Sequence, residues 1–342
     1  MKLKKINNIV SMYPEPVFGT VLAEKRVMAL SVDKKSKNPI RGLIREITKS
    51  KGNPDVPGFI DESKLIIVES ENGLKWKKVK DLEIKRISEI IIKLSGNDKY
   101  FIGLEDPDIW TDEKRVKHVY FTIAFKFKDK IGYEVYLGHA QGNDLENLNA
   151  TEPVLGPIGK NITGFKEVCI SPIEKKYRIN LTEMGIINKE EISAIAAVKS
   201  EDMSKPWEYL KIALDPRKMK YGWCKGHASP CTFLPADFLK TPKNLLVGII
   251  NGREKSKKIN GKKVYRKFRP GLILFNPKTG EIPWVSPEPL FEDPDARTIT
   301  FASDFILTEN NKGILYAHIN DSFIRAYEIN LKELKKYIKK NF

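Results

Sequence analysis

Histidine and cysteine are scarce in this sequence, and their scarcity narrows the available chemistry. Of 342 residues only 3 are cysteine and 4 are histidine. Cys169, Cys224 and Cys231 are odd in number and show no C-x-x-C spacing. That argues against a disulfide framework or a zinc knuckle and for reduced thiols. His118, His139, His227 and His318 are not gathered with cysteine or aspartate at metal-ligand spacing, so no metal is expected. Apolar runs of about 18 residues, the length needed to cross a bilayer, are missing as well. Between Met1 and Gly19, Ile9, Val10, Met12 and Val17 are broken up by serine, proline and glutamate, so no secretory leader is read there. The expectation is a cytoplasmic chain with no membrane partner.

Acid is in deficit too, with 44 Asp and Glu against 60 Lys and Arg, a net charge of +16. Such an excess admits a nucleic acid or an anionic glycan as partner. Nucleic-acid binding would show itself as steeply salt-dependent affinity. However, lysine is scattered almost everywhere and no RNA- or DNA-binding motif is present, so no nucleic-acid partner is expected. The densest stretch, Arg253 to Arg269, holds nine basic residues and one acid. Asn260-Gly261 lies between two short alternating segments there, which predicts a hairpin with a solvated basic tip.

Strand-like runs are what the chain has in abundance. They include Leu65–Val68, Glu89–Leu94, Val119–Phe127, Glu134–Leu137, Ala194–Val198, Leu245–Ile250, Gly271–Phe275, Ile299–Phe301 and Gly313–His318. All are short, rich in Ile, Val, Phe and Tyr, and mostly bounded by Gly, Pro, Asn or Asp. Helical spacing stands out only at the C-terminus, through Leu331, Leu334 and Ile338. The fold class is therefore all-β with a short C-terminal helix. A weak repeat refines it. Ile67 to Trp76 runs strand, polar turn, tryptophan; Ala197 to Trp207 follows the same plan, and Leu137 to Asn147 is a third copy without its tryptophan. A spacing of about 65 residues suits one four-stranded blade with its loops, and favours a β-propeller over a sandwich. Five blades fit the length. The expectation is one domain over 1–342, with an N-terminal segment over 1–40 and a helical tail over 330–342.

The strand–Ser–acidic turn–Trp plan resembles an element of five-bladed propeller glycosidases. Gly103-Leu-Glu-Asp-Pro-Asp-Ile109 resembles the G-x-E-D-P-R-I motif of glycoside hydrolase family 130, the β-mannoside phosphorylases and related hydrolases. Other pieces follow in the family's order. Gly42-Leu-Ile-Arg-Glu46 looks like its L-L-Y-R strand, and His118 to Ala124 its Y-x-x-T-Y-T strand. Phe165 to Pro172 resembles K-D-A-V-L-F-P, and Gly226-His-Ala-Ser-Pro230 stands where the family has G-x-G-x-P-P. Pro287 to Glu292, Phe301 and Tyr316 to Ile324 resemble its last three elements. The resemblance spans roughly residues 40 to 330.

The resemblance implies cleavage of β-mannosides or similar oligosaccharides with inversion. Asp106 matches the proton donor, and Glu292 and Asp321 match sugar-pocket carboxylates that would keep it company, either of them serving as the base if water attacks. Pro107 is expected to hold Asp106 extended and aim it into a central cavity. Glu105, Arg45, Lys166, His227 and the weaker candidate Asp304 are expected to bind substrate, as is Trp110 by stacking on a sugar face. Trp76 and Trp207 read as core. Two departures bear on mechanism: Asp108 replaces the arginine after E-D-P, and Asn180-Leu-Thr182 stands where the family has L-H-R. Both weaken the case for a phosphate site. Hydrolysis and phosphorolysis therefore stay open, with orthophosphate as co-substrate in the second case and otherwise no cofactor. The other reading is a non-catalytic glycan-binding propeller. Homo-oligomer formation is left open.

Overall fold

The computed structural model describes residues 3–20, 26–53, 56, 58–130, 132–172, 176–188, 190–239, 241, 245–308 and 312–342. Nearly all its regular structure is β, with two α-helices among the described residues. Near the N-terminus lie β1 (Lys4–Lys5) and β2 (Val10–Met12). A first antiparallel unit follows, made of β3 (Val27–Val32), β4 (Ile40–Lys51), β5 (Ile60–Ser70) and β6 (Lys77–Asp81). After β7 (Ile84–Lys85) and α1 (Ile87–Ser95) comes a second, β8 (Lys99–Thr111), β9 (Lys117–Phe127), β10 (Tyr133–Gly142) and β11 (Leu148–Ala150). The third contains β12 (Ile162–Cys169), β13 (Arg178–Asn188), β14 (Glu190–Ser200) and β15 (Glu208–Leu214). The fourth is β16 (His227–Phe233), β17 (Leu246–Arg253), β20 (Phe268–Asn276) and β21 (Glu281–Val285), with the hairpin β18 (Lys257–Ile259) and β19 (Lys262–Val264) inserted after β17. The fifth runs β22 (Thr300–Leu307), β23 (Gly313–Ile319) and β24 (Phe323–Ile329), followed by α2 (Leu331–Asn341). Its fourth strand is β2, with Val10 paired to Ile329 and Met12 to Tyr327.

Both faces of each unit are covered, which is why the strands read as unbroken apolar runs rather than alternating ones. Successive side chains point to opposite faces. In β5, Leu65 and Ile67 join an apolar cluster shared with the second unit, while Ile66 and Val68 join one shared with the fifth. In β14, Ile195 and Ala197 face the fourth unit, and Ala194, Ala196 and Val198 the second. In β20, Leu272 and Leu274 face the fifth unit, and Ile273 and Phe275 the third. Five clusters thus link each unit to the next, and the fifth unit to the first.

The first strands of the units also neighbour one another in sequence: β3 beside β8, β8 beside β12, β12 beside β16, β16 beside β22, and β22 beside β3. Each carries a register shift. It lies between Met28 and Ser31 in β3, Glu105 and Asp108 in β8, and Lys166 and Val168 in β12. In β16 it falls between Pro230 and Thr232, and in β22 between Ala302 and Asp304. A bulge of this kind adds a residue to one strand and re-aims its side chain. Ala29, Asp106 and Glu167 accordingly have φ of 55°, 46° and 46°. The extended backbone expected at Asp106 is not found: the bulge overrides the bias that Pro107 imposes.

A second correction concerns Glu89–Leu94, expected as a strand and lying within α1. The run Ile90-Ile91-Ile92 imitates a strand locally. Its real period is helical: Ile90 is buried, Ile87, Ile91 and Leu94 pack on the first–second cluster, and Ile92 is 73% exposed. The three repeat copies fall at one structural place, the turn between third and fourth strands of the first three units. A fourth instance, Leu274 to Trp284, links β20 to β21 and escaped the sequence reading. In the first copy Ser70 Oγ accepts from Gly73 N at 2.9 Å, and Trp76 Nε1 donates to Gly73 O at 3.0 Å. Trp76 and Trp207 are buried, as expected.

Candidate active site

A cavity of about 350 Å³ opens where the inner strands meet. Its floor is built from bulge residues and their neighbours, and two carboxylate pairs dominate its chemistry.

The first pair belongs to β8. Its bulge presents Glu105 and Asp106 together, and β4 supplies Arg45 between them. Arg45 Nη2 donates to Glu105 Oε1 at 2.7 Å and Nη1 donates to Asp106 Oδ1 at 3.0 Å. The guanidinium is a planar fork, so one side chain holds both acids in a fixed relation. Burial pushes the Glu105 carboxyl up to about 7, with Arg45 opposing and Asp106 adding to the rise. Burial works against the Arg45 charge, but Glu105 and Asp106 more than offset it and raise its pKa.

The second pair comes from β12 and β13. Lys166 and Glu183 stand opposite each other in the ladder, and Glu167 follows on the bulge. Lys166 Nζ lies 3.5 Å from Glu183 Oε1 and 3.9 Å from Glu167 Oε1. Ser229 Oγ, from β16, donates to Glu167 Oε2. His227 Nε2 sits 3.1 Å from Glu183 Oε2. Burial, followed by the charge of Glu183, drives the Glu167 carboxyl well above its ordinary range. Glu183 is also buried, yet His227 and Lys166 hold it well below that range. Burial lowers the pKa of His227 itself, against the pull of Glu183. One carboxyl of the pair keeps its proton while the other is ionised.

Asp321, in the turn after β23 with φ of 51°, completes the ring of acids. His318 Nδ1 accepts from Ala29 N at 3.2 Å, which places the ring proton on Nε2, 3.2 Å from Asp321 Oδ1. The imidazole stacks on Phe301 with ring centres 4.9 Å apart. Burial opposes ionisation of Asp321, but His318, Arg26 and Arg45 hold its pKa below the ordinary value.

Of the residues expected from sequence, Arg45, Glu105, Asp106, Lys166, His227 and Asp321 line this one cavity. Three expected residues lie outside its lining. Glu292 is paired with Lys267 and lies 3.6 Å from Arg269, partly open to solvent. Asp304 accepts from Val32 N at 2.8 Å and pairs with Lys34 at 2.9 Å, stitching β22 to β3. Trp110 packs on His118 at 5.1 Å and under Arg178 at 4.6 Å, within the second–third interface. Asp108 is not in the lining either; it sits 3.5 Å from Ser31 Oγ, and burial beside Asp304 pushes it up to about 7. Its reversed charge therefore says little about an anion site in the cavity. Glu167, Glu183, Asp61, Arg253 and Tyr265 line the cavity and were not singled out from sequence as site residues. Glu183 had one available signal: it is a lone acid among apolar and small residues in the middle of a strand run. Among the described residues no group of three or more His, Cys, Asp or Glu has the geometry to hold a metal ion. No described helix is long and apolar enough to cross a membrane.

Neither a protein-family model nor a curated protein sequence matches this chain. Solved structures do. A β-1,2-mannobiose phosphorylase from Listeria innocua, in complex with β-1,2-mannobiose, superposes with a TM-score of 0.66 at 13% identity, over 96% of this chain and 99% of that one. A structure from the GH130 family of mannoside phosphorylases, described with glycoside hydrolases that target β-1,2-mannosidic linkages in Candida mannan, gives 0.62 at 15%, over 95% and 90%. MPT-1, a GDP-Man-dependent mannosyltransferase from Leishmania mexicana, gives 0.54 at 12%, over 90% and 86%. The resemblance read from the motifs is thus matched by likeness of fold along nearly the whole chain. Phosphorylase, hydrolase and transferase all use this fold, so reaction type rests on the cavity itself.

Proposed function

We propose that this protein is a carbohydrate-active enzyme of the glycoside hydrolase family 130 type, cleaving a β-mannoside or similar short oligosaccharide by hydrolysis with inversion. The observation that carries this reading is the pairing of Glu105 with Asp106 on Arg45, and of Glu167 with Glu183 on Lys166, within one cavity. The five units, read as blades closed into a propeller about the cavity, are supported by the cyclic order of their apolar clusters.

In this reading the first pair keeps a proton near neutral pH, and Asp106 passes it to the glycosidic oxygen as the bond to the anomeric carbon breaks. Arg45 fixes the donor and stabilises the carboxylate left behind. The second pair, with Glu183 ionised, takes a proton from a water that attacks the opposite face of the sugar ring. Lys166 balances the charge. Such a reaction uses no cofactor. Water is favoured over orthophosphate because Arg45 and Lys166 are each already committed to two carboxylates. A phosphate dianion placed on Arg45 or Lys166 would have to displace their ion pairs with Glu105, Asp106, Glu167 and Glu183.

The test is product analysis on a panel of β-mannosides and related oligosaccharides, with and without orthophosphate, for the wild type, Asp106→Asn and Glu183→Gln. Free sugar released without phosphate, inverted at the anomeric carbon and lost in both variants, is the expected outcome. Sugar 1-phosphate formed only with phosphate would overturn hydrolysis and leave the donor assignment standing.

A further inference from the structure

The basic hairpin is not an isolated surface feature. Residues Tyr265 and Arg266 at its base, and Arg253 where the chain leaves β17, line the cavity. The Arg253 guanidinium lies over the Tyr265 ring at 4.1 Å and the Phe268 ring at 5.1 Å, fixing the base of the hairpin to the cavity wall. Asn260 and Gly261 have φ of 49° and 76°, the paired positive values of a tight hairpin turn. The cations divide into two sets. At the base, Arg266 and Arg269 pair with Glu254, and Lys267 with Glu292. Further out, Lys255, Lys257, Lys258, Lys262 and Lys263 are all exposed, and none forms an ion pair among the described residues.

Register makes the outer set unusual. Lys258 stands directly opposite Lys263. Like charges across a strand pair repel and weaken the hairpin. With few apolar contacts to hold them, two short strands joined in this way gain most from an anion placed between the two ammonium groups. Tyr265, just past the end of β19, lines the cavity, so the hairpin that carries Lys258 and Lys263 is rooted in the cavity wall. A solvated tip, the sequence expectation, accounts for exposure but not for like charges in register on a hairpin rooted in a cavity wall.

We propose that the hairpin extends the binding cleft and receives the negatively charged part of an oligosaccharide substrate, one bearing phosphate or carboxylate groups beyond the linkage cleaved. The inference rests on the hydrolase reading for its site of cleavage, but not for its binding. Lysines act as point charges and accept either anion.

The experiment compares a neutral β-mannoside oligosaccharide with the same oligosaccharide carrying a phosphomonoester, and with one carrying a carboxylate. Wild type is set against the combined K257Q, K258Q, K262Q and K263Q variant. Turnover is read as the ratio of kcat/KM for charged over neutral substrate, and binding is measured separately by calorimetry at low and high salt. A wild-type ratio of about tenfold at low salt, declining with added salt and falling to near unity in the variant, is expected. The two charged substrates separate phosphate from carboxylate preference. A ratio near unity in the wild type, or one unchanged in the variant, overturns the proposal while leaving the reaction standing. Lysine-dependent, salt-sensitive binding with no turnover of any substrate keeps the proposal and overturns the reaction. Lysine-dependent binding of a single-stranded oligonucleotide, with no discrimination among the oligosaccharides, overturns it in favour of a nucleic-acid surface.

Discussion

Arg45 joins two acids that would otherwise repel, and the charge state of that trio sets the pH dependence at the residue scale. The folded-state pKa of Glu105 is raised to about 7 from an ordinary value near 4.5. Between those values the folded chain holds a proton that the unfolded chain has lost, so this group costs stability as pH rises through the window. Glu105→Gln removes that dependence. Its thermal midpoint relative to wild type is expected to be higher at pH 7.5 than at pH 5, measured by scanning calorimetry. The same substitution should move the alkaline limb of the wild-type activity profile, expected near pH 7. Asp106→Asn keeps a side chain that tolerates the left-handed backbone. It should lower kcat/KM by roughly 10²- to 10⁴-fold with little change in melting temperature. A large loss of stability would instead assign Asp106 a structural role. Glu105, Asp106 and Lys166 were legible through the resemblance of Gly103–Ile109 and Phe165–Pro172 to family motifs, whereas Glu167, beside Lys166, was not singled out. Glu183 was not, since its meaning depends on pairing with Lys166 across a ladder that local sequence does not specify.

At the scale of the element, turns and strands were read more faithfully than the helix or the bulges. The strand–turn–Trp plan is carried by local hydrogen bonds, such as those from Gly73 to Ser70 and from Trp76 to Gly73, so each copy announces itself. Helix α1 was hidden by three consecutive isoleucines, whose β-branching argues for a strand until the positions of Ile87, Ile90, Ile91 and Leu94 are seen to share a face. Bulges leave no signature in a single sequence. They arise where five inner strands must converge, and they redirect Asp106 and Glu167 in ways that Pro107 or local propensity cannot anticipate. The repeat tryptophans give a further test. Trp207 is buried, with its ring 5.2 Å from that of Tyr120 across the second–third interface. Trp207→Ala should cost about 3–5 kcal/mol in denaturant unfolding. A loss below 1 kcal/mol would show that this interface can collapse around the gap.

Across the whole molecule, stability is shared around a cycle of apolar interfaces, each made by two units. Few interfaces can be lost alone, because every central strand has a covered face on either side. Val10 is fully buried on β2, against the last unit. Val10→Asp places an unpaired carboxylate there and should lower stability by several kcal/mol, on the order expected for burying a charge without a partner. Tryptophan fluorescence and far-ultraviolet circular dichroism should follow one coincident transition; separate midpoints would mean that the units unfold independently. All-β class was legible in composition and punctuation. The repeat pointed to recurring strand–turn–Trp units, but one sequence does not say which strands end beside each other. The excess of lysine, spread over the surface, gave no direction until the hairpin at the cavity mouth singled out a cluster without counter-charges.

The pairing of β2 with β24 has a consequence for how the chain is made. The strand at Val10–Met12 is synthesised long before its partner at Phe323–Ile329. Until then an apolar strand must wait beside a growing nascent chain, with its hydrogen-bonding edge unsatisfied. The fifth unit, and with it the interface to the first, can form only after Phe323–Ile329 has emerged. Ribosome-bound chains stopped before residue 323 should therefore be protease-sensitive at the N-terminus, and chains released just after residue 329 should not.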